Sequence, residues 1–346
     1  MKIVVSLVIF SIIILFHELG HFLLAKRAGI KVNEFSLGLG PTIWGIKKGD
    51  TTYSLKLLPF GGACMMEGED ADSTAEDSFG SKSVWARISV VAAGPIFNFI
   101  MAFVFSFVII CAAGYDLPVL VDVTPGYAAA EAGLMAGDVI TEMNGKNIHF
   151  YRDISAYGMF HEGEPVEVTY ERAGERFTTE LTPKYDEELG RYLYGFIGSP
   201  GRAKYTNNVF TLLRYSAYEV GYWIDSTVQS LRLLVSGGVS VNDMSGPVGI
   251  VDAIGDSYEE SVSYGVGVAV LQMMYTCVFL SANLGVMNLL PIPALDGGRL
   301  VFLVIEAIRG KKIDPEKEGI VHFIGLVLLL LLMVVIMFND VRKLFA

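Results

Sequence analysis

Four long apolar runs divide this chain, and mixed or polar segments of unequal length lie between them. Each run is about 20 residues long or longer, and a helix of that length crosses the roughly 30 Å hydrocarbon core of a bilayer. The runs cover roughly residues 3–25, 86–113, 265–290 and 319–338. We therefore predict a polytopic α-helical membrane protein with four transmembrane helices. The first run is too long for the apolar part of a signal peptide, and no small-residue cleavage site follows it, so we predict that it is retained.

The segment between the first two runs alternates like strands. Strand-like runs at Thr42–Ile46 and Thr51–Leu58 flank a turn at residues 47–50. We predict a membrane-associated β-hairpin within residues 32–66. This hairpin either dips into a protein-lined site, where its edge could receive an extended peptide, or packs on the helices as an ordinary cytosolic hairpin. The spacing alone leaves both interpretations open.

The long segment between the second and third runs divides in two. Residues 114–185 alternate short strand-like runs with turns, including the hairpin signal at Asn144-Gly145, and predict a small α+β domain. Residues 186–264 are predicted to form an amphipathic helical linker on the outer membrane surface, because Val209–Val235 is amphipathic and rich in aromatic residues. Packing of that helix against the preceding domain is the alternative.

The remaining parts of the chain, residues 1–113 and 265–346, are predicted to form the two halves of a membrane core. Lys and Arg are dense in the loops 26–85 and 299–317, which places both loops on the cytoplasmic side. Alternation across four spans then places residues 114–264 and both chain termini outside the cytoplasm. The four apolar runs make the lipid bilayer an expected partner. The formal net charge is −11 and no dense basic cluster is present, so we expect no nucleic-acid partner.

Three polar side chains interrupt the first apolar run: His17, Glu18 and His21. On a helix His17 and His21 are one turn apart and share a face, so that both imidazoles can hold one metal ion. Glu18 can then polarise a water on that metal. Matches to this pattern arise by chance in soluble helices, but three such groups inside an apolar span are costly unless a partner satisfies them.

A second polar motif follows the third run, at residues 288–298 (NLLPIPALDGG). Its two prolines end the helix and hold Asp296 near the cytoplasmic edge of the membrane, the depth predicted for His17 and His21. Two histidines and one carboxylate leave a fourth tetrahedral position open, which is typical of a catalytic zinc site. Asn288, two turns before, could hydrogen-bond a substrate carbonyl. Asn98, in the second run, is interpreted as a structural interhelical residue.

With these motifs the sequence resembles the site-2 protease family of intramembrane zinc metalloproteases, in the branch of bacterial regulator-of-sigma-E proteases. The resemblance runs from end to end through HELGH, FSLGLGP, GPIFN, SGPVGI and NLLPIPALDGG. Residues 125–145 (PGYAAAEAGLMAGDVITEMNG) resemble a PDZ domain of the circularly permuted bacterial type. Better-known members often carry two PDZ units, whereas this chain has one.

The resemblance implies a zinc-dependent endopeptidase of the bacterial cell membrane, with one Zn²⁺ held by His17, His21 and Asp296 and with Glu18 as the catalytic base. The active site is expected near the cytoplasmic side. Substrates would be single-span membrane proteins already cut once by another protease, such as anti-sigma factors or signal-peptide remnants. The PDZ unit, outside the cytoplasm, would bind a peptide or filter substrates by their outer domains. The expected substrate-binding residues are Asn288, Pro293, Tyr53, Ser54, Leu55, Lys56 and Leu57.

Two other classes of membrane protein predict different sequence features. A metal or ion transporter predicts polar residues spread over several spans, whereas here the second and fourth runs are nearly apolar. A non-enzymatic adaptor acting through its PDZ unit needs neither Glu18 nor Asp296. The remaining histidines, His149, His161 and His322, have no partner at ligand spacing and are interpreted as structural or surface residues. The three cysteines predict no disulfide framework.

Overall fold

The computed structural model describes residues 1–69, 73–198, 204–238 and 245–344. The helices are α1 (Lys2–Arg27), α2 (Val84–Ala113), α3 (Ala128–Glu131), α4 (Tyr151–Phe160), α5 (Val209–Ser236), α6 (Pro247–Ser263), α7 (Val266–Asn288), α8 (Asp296–Arg309) and α9 (Pro315–Leu344). The strands are β1 (Val32–Lys48), β2 (Thr51–Met66), β3 (Leu120–Val123), β4 (Val139–Met143), β5 (Lys146–Asn147), β6 (Val166–Arg172), β7 (Glu175–Leu181), β8 (Lys184–Asp186), β9 (Arg191–Leu193) and β10 (Phe196–Gly198). The chain forms two compact units, one made of Met1–Ser106 with Val239–Ala346 and the other of Phe107–Gly238.

Among the described residues, four helices are long and apolar enough to cross a membrane, namely α1, α2, α7 and α9. They contain nearly all of the four predicted apolar runs, so the prediction of four such helices is confirmed. Between 28% and 33% of the most apolar stretch is buried in α1, α2 and α7, but only 6% of it in α9. Helix α9 is therefore the peripheral helix of its unit, and most of its apolar surface faces outward.

Helices α1, α2, α6 and α7 share one apolar core, whose buried members are Ile9, Ile13, Met101, Ile254 and Cys277. Helix α6 packs along the start of α1, where the Ser6 hydroxyl donates a hydrogen bond to the carbonyl of Val251. Residues 247–263 were predicted to be part of an outer linker. They belong to the helical unit instead, because their apolar face is buried against α1.

Strands β1 and β2 fold more tightly than a simple hairpin. Residues 34–37 of β1 pair with two separate stretches of β2, at residues 52–55 and at residues 62–65. Both strands therefore bend, and together they form a small sheet of four segments. The order of these segments across the sheet is 42–48, 51–56, 32–37 and 62–66.

This order corrects the prediction for the segment Tyr53–Leu57. Tyr53, Ser54 and Leu55 are paired with β1 residues on both sides, so their backbone is not available to an added strand. For Tyr53–Leu55 the prediction that the segment receives a substrate strand is therefore wrong. Lys56 pairs on one side only, with Thr42, and for Lys56 and Leu57 it stays a prediction. Among the described residues, the stretch Gly62–Met66 pairs on one side only and forms an open edge.

The second unit is built on the four-stranded sheet β5-β4-β6-β7, with α3 and α4 packed on it. Its core contains Ile140, Met143, Val166, Val168 and Leu181. Strand β10 pairs with β3, so the unit continues beyond Tyr185, where the sequence placed its end. The first part of the predicted linker contains β10, which pairs with β3, the first strand of the unit.

Helix α5 is part of the same unit. Leu212 is buried in a cluster with Phe150 and Tyr115, and the carboxylate of Glu219, 4% exposed, forms an ion pair with Arg152. The predicted alternative, packing of this helix against the preceding domain, is the arrangement in this structure. Residues 199–203 and 239–244 of the predicted linker lie outside the described residues.

Candidate metal centre

Helix α1 presents His17 and His21 side by side. The two residues are separated by one helical turn, and their ring centroids are 4.8 Å apart. Both side chains are buried. Glu18 is half-buried and lines the same small cavity as the two histidines. The local pattern therefore forms the pair that the sequence predicted.

Asp296 reaches the same place from the other end of the chain. Helix α7 ends at Asn288, a loop with two prolines follows, and Asp296 is the first residue of α8. Its Oδ2 atom lies 3.2 Å from Nε2 of His17 and 3.6 Å from Nε2 of His21. The two Nε2 atoms are 3.2 Å apart. Three potential ligand atoms thus converge on one point.

The loop before Asp296 is held by close backbone contacts. A Cβ atom at Gly297 would be 2.1 Å from the carbonyl oxygen of Leu290, and one at Gly298 would be 2.4 Å from that of Ile292. The two glycines therefore let α8 begin directly against the loop. Ala294 has a φ of 77°, in the left-handed region that residues with a side chain rarely adopt.

The tautomer of His21 is fixed by its other ring nitrogen. Nδ1 of His21 lies 2.9 Å from the carbonyl oxygen of Val90 in α2. A carbonyl oxygen only accepts hydrogen bonds, so Nδ1 carries the proton and Nε2 presents a lone pair. This is the form of histidine that binds a metal ion.

Asn98 of α2 plays the matching part for His17. Its amide lies 3.2 Å from Nδ1 of His17, while its Oδ1 atom is buried and has no hydrogen-bond partner among the described residues. The two ends of an asparagine amide are interchangeable by a half-turn. With the amide turned, Oδ1 accepts from the Nδ1–H of His17, and Nε2 of His17 also presents a lone pair.

These contacts allow a test of whether the three residues fit a metal ion. Two imidazole lone pairs and a buried carboxylate oxygen converge, and Oδ2 of Asp296 has no hydrogen-bond partner among the described residues. Three acceptors this close repel one another unless a cation lies between them. Ligand atoms about 2.0–2.1 Å from a tetrahedral zinc ion are about 3.3–3.5 Å apart, which agrees with the observed 3.2–3.6 Å. The site fits zinc.

Glycines bring α1 and α2 together at this point. A Cβ atom at Gly94 would be 2.3 Å from Nε2 of His21 and 2.7 Å from Cε1 of His17. On α1, a Cβ atom at Gly20 would be 2.4 Å from the carbonyl oxygen of Ala93. Small residues at such crossings allow helices to pack closely within a membrane.

A cavity of about 150 Å³ lies beside the three potential ligand residues. Besides them and Glu18 it is lined by Cys64 and Met66 of the open strand edge and by the ion pair between Glu69 and Arg299. A Cβ atom at Gly62, on the same edge, would be 3.2 Å from Cγ of Glu18. The Gly62–Met66 edge of the sheet therefore runs past Glu18.

Of the predicted substrate-binding residues, Asn288 lies at the site, whereas Pro293 and Tyr53–Leu57 do not line the cavity. The side-chain nitrogen of Asn288 lies 3.4 Å from Nε2 of His17, at the site. Pro293 does not line the cavity and instead contacts Gly325 of α9. Tyr53 packs its ring against Phe22 and Phe35, and none of Tyr53–Leu57 lines the cavity.

Sequence reasoning missed the part that α2 plays. Gly94 and Asn98 are one turn apart on the helix and both face the histidines. The available signal was the GPIFN motif itself, because a glycine and an asparagine four residues apart on one face are unusual in an apolar helix. His322 was interpreted as structural or surface, and its ring accepts a hydrogen bond from the loop that carries Asp296, a contact that the sequence did not specify.

Comparison with known proteins gives one family and full-length relatives. A family model described as peptidase family M50 matches residues 5–332. A putative zinc metalloprotease of Clostridium acetobutylicum is 36% identical over 344 residues, 98% of this chain and 97% of that protein. The regulator of sigma-W protease RasP of Bacillus subtilis is 33% identical over 426 residues, and the match covers 99% of each.

A further relative, a putative zinc metalloprotease of Fusobacterium nucleatum, is 36% identical over 349 residues that cover 100% of both chains. Among solved structures, the PDZ domain of an SdrC-like protein of Listeria monocytogenes aligns with 24% of this chain and 85% of its own, at 22% identity and a TM-score of 0.20. A likeness at that TM-score supports no argument about fold or function.

Proposed function

This chain belongs to peptidase family M50 and is a zinc metalloprotease, and from that premise we propose that it is an endopeptidase that cuts inside the membrane. Its substrates are the transmembrane segments of single-span membrane proteins that another protease has already shortened. The observation that carries the proposal is the position of His17, Glu18 and His21 inside α1, a helix long and apolar enough to span a bilayer.

His17, His21 and Asp296 are the residues that would hold the zinc ion. When bound, the ion supplies Lewis acidity, which polarises a peptide carbonyl and lowers the pKa of a water at the site towards about 7. Glu18 accepts the proton that the attacking water loses as its oxygen bonds to the carbonyl carbon. Glu18 then donates a proton to the peptide nitrogen as the carbon–nitrogen bond breaks.

The substrate segment has to be extended at the site, because a helix hides its carbonyl groups in internal hydrogen bonds. We assign the strand edge Gly62–Met66 as the partner of the extended segment. This edge is open among the described residues, and its members Cys64 and Met66 line the cavity beside Glu18. Backbone pairing along the edge would hold the peptide, and Asn288 would hydrogen-bond a carbonyl near the metal.

The far end of the β1–β2 sheet supports placement at a membrane. Its outer segments expose large apolar side chains, and the adjoining turn is basic, which is typical of a structure that enters the interface of an anionic bilayer. The apolar members include Ile43 (61% exposed), Trp44 (60%) and Leu57 (57%), beside Lys47 and Lys48. We assign this side to the cytoplasm by the excess of Lys and Arg in the short loops.

With that orientation the second unit and both termini lie outside the cytoplasm of a bacterial cell. We assign the second unit as a PDZ-type domain on the resemblance of residues 125–145. Its role is to bind the freshly cut chain end of a substrate or to exclude substrates with bulky outer domains. Anti-sigma factors are the favoured substrates, in line with the name of the Bacillus subtilis relative, regulator of sigma-W protease.

The test uses the detergent-purified full-length protein and a single-span model substrate without its outer domain. We expect about one zinc ion per chain and cleavage within the substrate's transmembrane segment. Glu18→Gln should keep the zinc and abolish cleavage, whereas Glu175→Gln, at an exposed position on β7, should change neither. Cleavage by Glu18→Gln would overturn the assigned base. A wild-type protein that binds peptides, but neither binds zinc nor cleaves the model substrate, would show that the chain is an adaptor.

A further inference from the structure

Helix α9 touches the rest of its unit at few points, since only 6% of its most apolar stretch is buried. One of these points is the loop between α7 and α8, which carries Asp296. Among the described residues, His322 and Gly325 contact this loop side by side, at adjacent turns of α9. No α9 side chain lies among the three potential ligands.

The first contact is a hydrogen bond to the backbone of the loop. The N–H of Ala294 donates to Nδ1 of His322 at 2.9 Å. Because Nδ1 accepts, the ring is neutral, with its proton on Nε2. Nε2 faces the carboxylate of Glu318 at 3.8 Å, and the ring lies beside Phe302 of α8, with centroids 5.7 Å apart. The imidazole is thus fixed between α9, α8 and the loop.

The residue that receives this hydrogen bond is the strained one. Ala294 has a φ of 77° and lies two residues before Asp296. A residue with a side chain holds the left-handed conformation only where its surroundings impose it. The hydrogen bond from the Ala294 N–H to His322 is such a constraint, and it acts on the backbone that aims the carboxylate.

The second contact is independent of the first. A Cβ atom at Gly325 would be 2.5 Å from Cβ of Pro293 and 2.6 Å from its carbonyl oxygen. Helix α9 therefore lies directly on the loop, at the residue before Ala294. Both contacts bear on the same short stretch, residues 293–294, from the same face of α9.

We propose that His322 is a positioning residue of the metal centre: by accepting the N–H of Ala294 it holds the loop in the conformation that aims Asp296 at His17 and His21. Helix α9 is in this way part of the zinc site without supplying a ligand. The proposal rests on the proposed function, since it requires Asp296 to be a zinc ligand. It assigns His322 no contact with substrate.

The test is the zinc dissociation constant of the metal-free full-length protein in detergent, measured by competition with a chelator of known affinity. His322→Leu removes the acceptor and should weaken zinc binding roughly tenfold, at the low end of the range for groups that orient a ligand. His322→Asn keeps an acceptor near the Nδ1 position and should remain within about threefold of the wild type. Phe323→Leu, an exposed neighbour on α9, is the control and should not change the constant.

A second variant keeps the test decisive if His322→Leu does not fold. Gly325→Ala should also weaken zinc binding, because its methyl group would displace the loop at Pro293, whereas Gly319→Ala has no atom within 4 Å of its added Cβ and should bind as the wild type does. Equal constants for the wild type, His322→Leu and Gly325→Ala would overturn the positioning role alone. Absence of zinc binding by the wild type would instead overturn the proposed function.

Discussion

Gly94 of α2 lies directly against the imidazole of His21, so that a Cβ atom at this glycine would be 2.3 Å from the ring nitrogen Nε2. The ring cannot retreat without breaking the hydrogen bond from its Nδ1 to the carbonyl of Val90. The absence of a side chain on α2 is therefore as much a part of the site as the histidines on α1.

Gly94→Ala should disrupt the metal site while leaving the helices in place. The added methyl group pushes the His21 ring away from His17 and Asp296, and we expect zinc affinity to fall about 100-fold. The measurement is zinc content after dialysis against a weak chelator. Gly267→Ala in α7 is the matched control, since its added Cβ meets nothing within 4 Å. Full zinc content in Gly94→Ala would show that the ring has another place to go.

Asn98→Leu should weaken zinc binding through His17. The amide of Asn98 is the partner of the His17 Nδ1, and groups that orient a metal ligand typically contribute 10–100-fold in affinity. We expect a loss within that range in a chelator competition. Ser106→Ala, which removes another buried polar group of α2, should leave the affinity unchanged. If both variants lose affinity equally, the effect belongs to helix packing and not to His17.

Removal of the metal should be reversible in the wild type but not in Asp296→Asn. A strong chelator is expected to abolish cleavage, and added zinc should restore it. In Asp296→Asn a neutral amide replaces the carboxylate of the three proposed ligands, so the same zinc concentration should restore little activity. Asp314→Asn, at an exposed position before α9, provides the control and should recover as the wild type does. Full recovery in Asp296→Asn would exclude Asp296 as a ligand.

The motif residues could be predicted because local rules decide them. A helix brings His17 and His21 to one face whatever surrounds it, and the prolines between Asn288 and Asp296 end a helix in any context. The hydrophobic length of the four spans is similarly a local property. These features came directly from spacing and composition.

The rest depends on pairings between distant segments, which one sequence does not specify. The prediction for Tyr53–Leu55 failed because β1 bends and pairs with β2 twice. The alternation of apolar and polar residues along one strand cannot show which segment is left at the edge of the sheet. The contact of His322 with Ala294 joins α9 to a loop before α8, and α8 itself was predicted as a charged loop. Because α8 is short and lies in a stretch rich in charged residues, its amphipathic pattern was not recognised in the sequence.

A substitution in the strand edge beside Glu18 should lower the rate of catalysis without loss of the metal. Gly62→Val places a branched side chain where a Cβ atom alone is already 3.2 Å from Cγ of Glu18 and 3.0 Å from Ile14. We expect Glu18 to shift by a fraction of an ångström, with a fall in kcat of about 10–100-fold and unchanged zinc content. Gly45→Val, on the far part of the same sheet, is the control and should keep its activity, because a Cβ atom there meets neighbours no closer than 3.5 Å. Loss of zinc in Gly62→Val would place the damage at the ligands instead.

The second unit contains a buried charge whose partner can be removed. The carboxylate of Asp138 is fully buried; burial raises its pKa, but hydrogen bonds from Arg172 and from the N–H of Met135 lower it more, so that the net pKa is below its ordinary value. A carboxylate with a lowered pKa stabilises the fold at pH values above its unfolded pKa of about 3.9, and this stabilisation is lost as the pH falls towards the folded pKa. At neutral pH the contribution is complete.

Arg172→Leu should therefore destabilise this unit at neutral pH, because Asp138 is left buried without its counter-charge. The cost is about 2 kcal/mol, less than for a fully buried pair since the Arg172 side chain is 31% exposed. Hydrogen exchange of the full-length protein should show protection of Val139–Met143 reduced about 30-fold. Arg176→Leu, whose side chain is 59% exposed and 3.5 Å from Glu142, is the control. Equal protection in both variants would mean that Asp138 finds other partners or takes up a proton at little cost.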